Sequence, residues 1–121
     1  MAAYAAAWNA RDASRASRLF TPDVRYSFDP FAEPLDLDEL VRHWSTAFAT
    51  QTEVELSTRL VTASGDDAVI EWWASILTDD GAGVTLSATL LLHLAEDGRV
   101  DELHEHWLRR DGRIAAPARF S

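Results

Sequence analysis

Cysteine and lysine are both absent from this 121-residue chain. Without cysteine there is no disulfide, no thiolate nucleophile and no cysteine metal site. Without lysine there is no Schiff base and no phosphate-gripping P-loop lysine. Positive charge is scarce: 11 basic residues, all arginine, stand against 20 acidic ones, for a formal charge of −9. Nucleic acid and anionic membranes need clustered cations, so neither is an expected partner. Long apolar runs are lacking too. No stretch approaches the roughly 18 residues of a spanning helix. The segment MAAYAAAWNARDASR has no basic run leading into an apolar core, so a signal peptide is not expected and the expected location is the cytoplasm. What remains is 47% apolar, includes five tryptophans, and suffices for one core and one domain over residues 1–121.

The first half reads as helical. Over residues 2–20, Tyr4, Trp8, Ala16 and Leu19/Phe20 share one face, with Arg11, Arg15 and Arg18 on another; Pro22 ends the run. VRYSF (24–28) is a short strand and DPFAEP (29–34) a loop. Asp36 followed by Glu39 is a capping-box pattern. It opens a second helix to about Thr50, with Leu37, Leu40, Val41, Trp44 and Phe48 at helical spacing. Beyond Glu53 the period becomes that of strands, expected near 53–63, 68–78, 83–95 and 99–109. Helices followed by a strand meander imply an α+β fold, an antiparallel sheet with helices on one face.

Tight turns at Asp80–Gly81 and Asp97–Gly98 set a register. The second turn sets Leu90 opposite Glu105 and Ala88 opposite Trp107; the first sets Trp73 opposite Ala88 and Glu71 opposite Leu90. The inner face then carries Glu71, Trp73, Leu90, Leu103, Glu105 and Trp107, with Asp101 also turned inward. Ile70, Trp72, Thr89, His104 and His106 fall outside, an apolar load that calls for a partner, and a homodimer through that face is expected.

The order of these elements resembles the nuclear transport factor 2-like superfamily, over nearly the whole chain. YAAAWNARDASRASRLFTPD resembles its first helix. DPFAEP is similar to the loop that carries the catalytic aspartate of ketosteroid isomerases. EDGRVDELHEHW resembles the final hairpin and strand. Ketosteroid isomerases and SnoaL-like polyketide cyclases are the nearest branches. The resemblance implies a cone-shaped barrel, a curved sheet wrapped around the N-terminal helices as a cystatin-like α+β roll. It places a base at Asp29 and a tyrosine at Tyr4. The oxyanion aspartate of the isomerases falls on Leu90 and a second pocket tyrosine on Trp44. The acid–base residue of the cyclases falls on Glu105.

The expected catalytic set is Glu105, Asp29 and Tyr4. Trp8, Phe31, Trp44, Glu71, Trp73, Leu90, Leu103 and Trp107 are the expected ligand contacts. Each has a plainer reading. Glu105 is either a general acid or base with a pKa raised by burial, or a carboxylate tied to an arginine such as Arg59. Asp29 before Pro30 is also ordinary turn chemistry, and Tyr4 also suits a core stripe. The tryptophans line a pocket or simply fill a core. His93, His104, His106 and Glu102 share a face at spacings a metal would accept; a solvated or dimer face is the better account, and no metal or cofactor is expected. The expected function is binding of a small apolar organic ligand, with cofactor-free isomerisation, cyclisation or hydration. The rival is a non-catalytic binding or dimerisation module.

Overall fold

The structure, a computed structural model, describes the backbone over residues 2–120 and side chains over 6–120. It has three α-helices, α1 (Ala2–Asn9), α2 (Ala13–Ser17) and α3 (Leu37–Ala49), among the described residues. The strands are β1 (Phe20–Ser27), β2 (Gln51–Ser64), β3 (Asp67–Thr78), β4 (Gly83–Leu94) and β5 (Val100–Asp111). The sheet order is β1-β5-β4-β3-β2, with β1 parallel to β5 and every other pair antiparallel. Its strands curve around the helices without closing, and the core lies between them.

The long helix expected over residues 2–20 is two helices and the start of a strand. Arg11 takes a left-handed φ of +53°, and the Asp12 carboxylate caps α2 by accepting the Arg15 backbone N–H at 2.9 Å. The Asn9 side chain accepts the Leu56 N–H at 2.7 Å, tying the end of α1 to β2. Pro22 lies inside β1, whose pairing with β5 begins at Phe20 and Val100. The capping box of α3 forms as the sequence predicts: Asp36 accepts from the Glu39 N–H at 2.9 Å, and Glu39 accepts from the Asp36 N–H at 3.2 Å. Leu40, Trp44 and Phe48, four apart, are the buried stripe of that helix.

The two hairpins differ from the expected two-residue turns, with different consequences. Between β3 and β4 the loop has three residues, Asp79–Asp80–Gly81. Gly81 takes a φ of +79°, and Thr78 donates its N–H to Ala82 O at 3.0 Å. The Asp80 carboxylate accepts the Ala82 N–H at 2.9 Å. This extra residue slips the pairing by one, so Trp72 faces Ala88 and Ile70 faces Leu90. Every side chain of β3 changes face. Ile70, Trp72, Ala74 and Ile76 are buried inside, and Glu71 and Trp73 lie on the convex side. The expected dimer face built on Ile70 and Trp72 therefore does not exist.

The loop between β4 and β5 also has three residues, with Gly98 at a φ of +84° and Ala95 donating to Arg99 O at 2.8 Å. A bulge at Asp101 then restores the expected register, since Leu94 pairs with Val100 but His93 with Glu102. Asp101 does not turn inward; its carboxylate lies 2.6 Å from His93 Nδ1. Leu90–Glu105 and Ala88–Trp107 pair as expected.

The convex side of β3 and β4 is crossed by the C-terminal segment. Trp73 Nε1 donates to Ile114 O at 2.8 Å, and Ile114 N–H donates to Thr85 Oγ1 at 2.9 Å. Arg119 Nε donates to Glu71 Oε1 at 2.8 Å.

Candidate functional site

Three inward rows of side chains cross the concave face: Ile70–Leu90–Glu105, Trp72–Ala88–Trp107 and Ala74–Leu86–Arg109. Glu105, Trp107 and Arg109 alternate along β5, so they run from depth to rim about 6.6 Å apart. Above them α3 contributes His43 and Trp44, α1 contributes Trp8, and β1 contributes Tyr26 with Phe28 just beyond it. Together they line a cavity of about 400 Å³.

Glu105 is the acid at the depth of this cavity. Tyr26 Oη donates to its Oε2 at 2.7 Å. Arg59, the arginine considered for it, instead meets Glu71 at 3.3 Å. The residue keeps some exposure, but its carboxyl group is packed closely enough for desolvation to dominate. Burial pushes its pKa up to about 7, and the Tyr26 hydrogen bond opposes this in part. Both protonation states are therefore populated near neutral pH. His43 stacks on Phe28 at 5.0 Å between ring centroids, and burial lowers its pKa, favouring neutral imidazole.

Of the expected ligand contacts, Trp8, Trp44 and Trp107 line this cavity, and Trp107 remains 45% exposed at its edge. Phe31, 97% exposed, borders a shallow outer recess together with Asp29, Glu105, His106 and Trp107. In that recess Asp29 closes a turn, its carboxylate accepting the Phe31 N–H at 2.9 Å. Leu90 is fully buried beside Glu105. Leu103 faces a second cavity of about 410 Å³, lined mainly by aliphatic side chains. Glu71 and Trp73 lie outside both cavities, because the slipped β3 register turned them away. Tyr4 is on α1, and its side chain lies outside the described residues. Of the outer-face histidines, His93 meets Asp101, and His104 meets Glu102 at 3.0 Å. No group of three or more metal-ligating side chains is found among the described residues.

Sequence reasoning missed Tyr26, Phe28, His43, Trp72 and Arg109. A signal for the first two was present, since Val24, Tyr26 and Phe28 alternate in VRYSF. Their place beside Glu105 follows from the parallel β1–β5 pairing, which no local pattern announces.

The fold agrees with what comparison with known proteins finds. Residues 1–103 match the SnoaL-like domain, and the chain belongs to that family. No curated protein matches it in sequence. Among solved structures it is similar to the BvnE pinacolase of Penicillium brevicompactum, at 14% identity and a TM-score of 0.76, over 88% of this chain and 78% of that one. It is similar to SalBIII, an epoxide hydrolase/cyclase-like enzyme of pyran ring formation in the polyether salinomycin, at 16% identity and a TM-score of 0.74, over 88% and 86%. A hypothetical protein from Catenulispora acidiphila with a ketosteroid isomerase-like fold, in complex with trimethylamine, shares 18% identity at a TM-score of 0.72, over 86% and 81%. At such identities the likeness is one of fold.

Proposed function

We propose that the chain holds a small, largely apolar organic molecule in the Glu105 cavity and moves a proton on it. The chemistry is that of a cofactor-free isomerase, cyclase or hydratase acting in the cytoplasm. One observation carries this reading: a carboxyl group within an aromatic cavity, bonded to a tyrosine hydroxyl, with a pKa of about 7. A group so poised takes a proton from carbon or gives one to oxygen without a large penalty in either state. Tyr26 is the positioning residue that aims the carboxylate. Asp29, at the outer recess, is a second acid–base group, and Tyr4 an assisting hydroxyl. Trp8, Trp44 and Trp107 are the walls against which the ligand packs, with Phe31 at the rim and Leu90 and Leu103 behind. A relative of this fold that holds trimethylamine supports a small organic occupant. The protein acts as a homodimer.

The test is hydrogen exchange. Enolisable ketones such as 2-tetralone are incubated in D2O with the protein, and deuterium entering the α-carbon is followed by NMR. Exchange above the buffer rate, lost in Glu105→Gln, is expected. Buffer-rate exchange across a panel of such ketones would sink the catalytic reading. The non-catalytic binding module would then lead. Leu90 favours that second reading, because it leaves no acidic hydrogen-bond donor where the isomerases have one.

A further inference from the structure

Resting on the ligand-cavity reading above, we propose that the occupant is an organic cation, a small protonated or quaternary amine with apolar substituents. The wall surrounding Glu105 is rich in aromatic rings: Trp8, Tyr26, Phe28, Trp44, Trp72 and Trp107 line it, alongside the aliphatic Ile76, Val84 and Leu86. The face of an aromatic ring is the negative part of its quadrupole and attracts a cation within about 6 Å of the centroid. The rings meet at steep angles, with Tyr26 and Trp44 at 90° and Tyr26 and Phe28 at 64°. The rings around Glu105 therefore do not lie in one plane, and Trp107, 45% exposed, is the ring most open to an entering ligand. A neutral apolar ligand needs only apolar bulk. The second cavity, bounded by Leu19, Leu60, Ile70, Leu92 and Leu103, shows that this chain builds aliphatic walls elsewhere.

Charge points the same way. Glu105 has a neutral hydroxyl as its hydrogen-bond partner, and no arginine or histidine forms an ion pair with it among the described residues. A ligand cation would supply the counter-charge that an ionised carboxylate needs in a desolvated site. The Glu105 cavity has one arginine in its wall, Arg109, which it shares with an adjoining outer chamber that also carries Asp79, Asp80 and Asp111, and Arg109 lies 3.8 Å from Asp111. Arg109 is two alternate positions along β5 from Glu105, about 13 Å by strand rise, at the solvent end. His43 is held toward its neutral form. A formal charge of −9 draws cations toward the mouth.

Isothermal titration calorimetry of the full chain at pH 8.5, where Glu105 is ionised, tests this. The probes are choline against its neutral isostere 3,3-dimethyl-1-butanol, and phenyltrimethylammonium against tert-butylbenzene. At least one cation should bind ten times tighter than its carbon isostere. Glu105→Gln should reduce that preference at least fivefold, with circular dichroism reporting the fold. Trp107→Leu, a change in the half-exposed wall, should weaken the cation more than the isostere. Isosteres that bind as well as the cations, or cations that do not bind, overturn the inference. The first of these outcomes keeps the ligand cavity and removes only its charge selectivity, so the two readings fail separately.

Discussion

At the scale of single residues, Glu105 links stability, pH and chemistry. Its pKa is raised from 4.5 to about 7 by burial, so the native state holds a proton that the unfolded chain has released between those values. The stabilisation is complete below pH 4.5 and is lost as pH rises through about 7. Wild type should therefore lose roughly 2–3 kcal/mol relative to Glu105→Gln between about pH 5 and 8.5, read from urea unfolding at both pH values. Parallel curves for the two proteins would mean the carboxyl group is hydrated after all. Tyr26→Phe removes the hydrogen bond that favours the ionised form, so the Glu105 pKa should rise further, as followed by carboxyl-carbon NMR titration. A fall would show that Tyr26 acts mainly by shielding the group from water. The inward direction of Glu105 was legible in the sequence for an incomplete reason. A two-residue turn predicted the register that a three-residue turn plus a bulge at Asp101 in fact produces.

Elements were legible where their signals are local. The Asp36 and Glu39 box, followed by apolar residues at three- and four-residue spacing, specifies α3 within one stretch of chain. Asp36→Ala should cost about 1 kcal/mol by leaving N-terminal N–H groups unsatisfied, and thermal unfolding would show it. The break between α1 and α2 was not legible, because residues 2–20 keep a helical period through Arg11 and Asp12. What decides it is the cap at Asp12, the tie from Asn9 to β2, and the demand of the sheet for Phe20. The β3 face failed on one residue of loop length, since DDG serves a two-residue turn or a three-residue one with glycine left-handed. The second form predicts that Gly81→Ala costs roughly 1 kcal/mol or more, because alanine is disfavoured at a φ of +79°. A neutral substitution there would mean that the turn relaxes to another form.

For the whole molecule, the sheet's two sides have different fates. The concave side is covered by helices, leaving the Glu105 cavity and the aliphatic cavity at Leu103. The convex side is partly closed by the chain itself: Trp73 bonds Ile114 and packs 6.3 Å from Phe120, and Glu71 pairs with Arg119. Glu71 and Trp73 thus serve as anchors for the C-terminal segment, where the sequence suggested ligand contacts. Beyond that strap two leucines remain in water, Leu91 at 43% and Leu108 at 78% exposure. Both belong to outward positions of the central strands β4 and β5. Exposed leucine on central strands is better placed against a second copy than against solvent, and an isologous contact would use the same two residues twice. Sedimentation velocity at tens of micromolar should then give a species of twice the 13.5 kDa chain mass. Leu108→Glu should return it to the monomer without changing the circular dichroism spectrum, because that side chain is 78% exposed in its own chain. A wild-type protein that sediments as a monomer would remove the homodimer from the proposal. The Glu105 cavity would be unaffected, since every side chain that lines it comes from one chain.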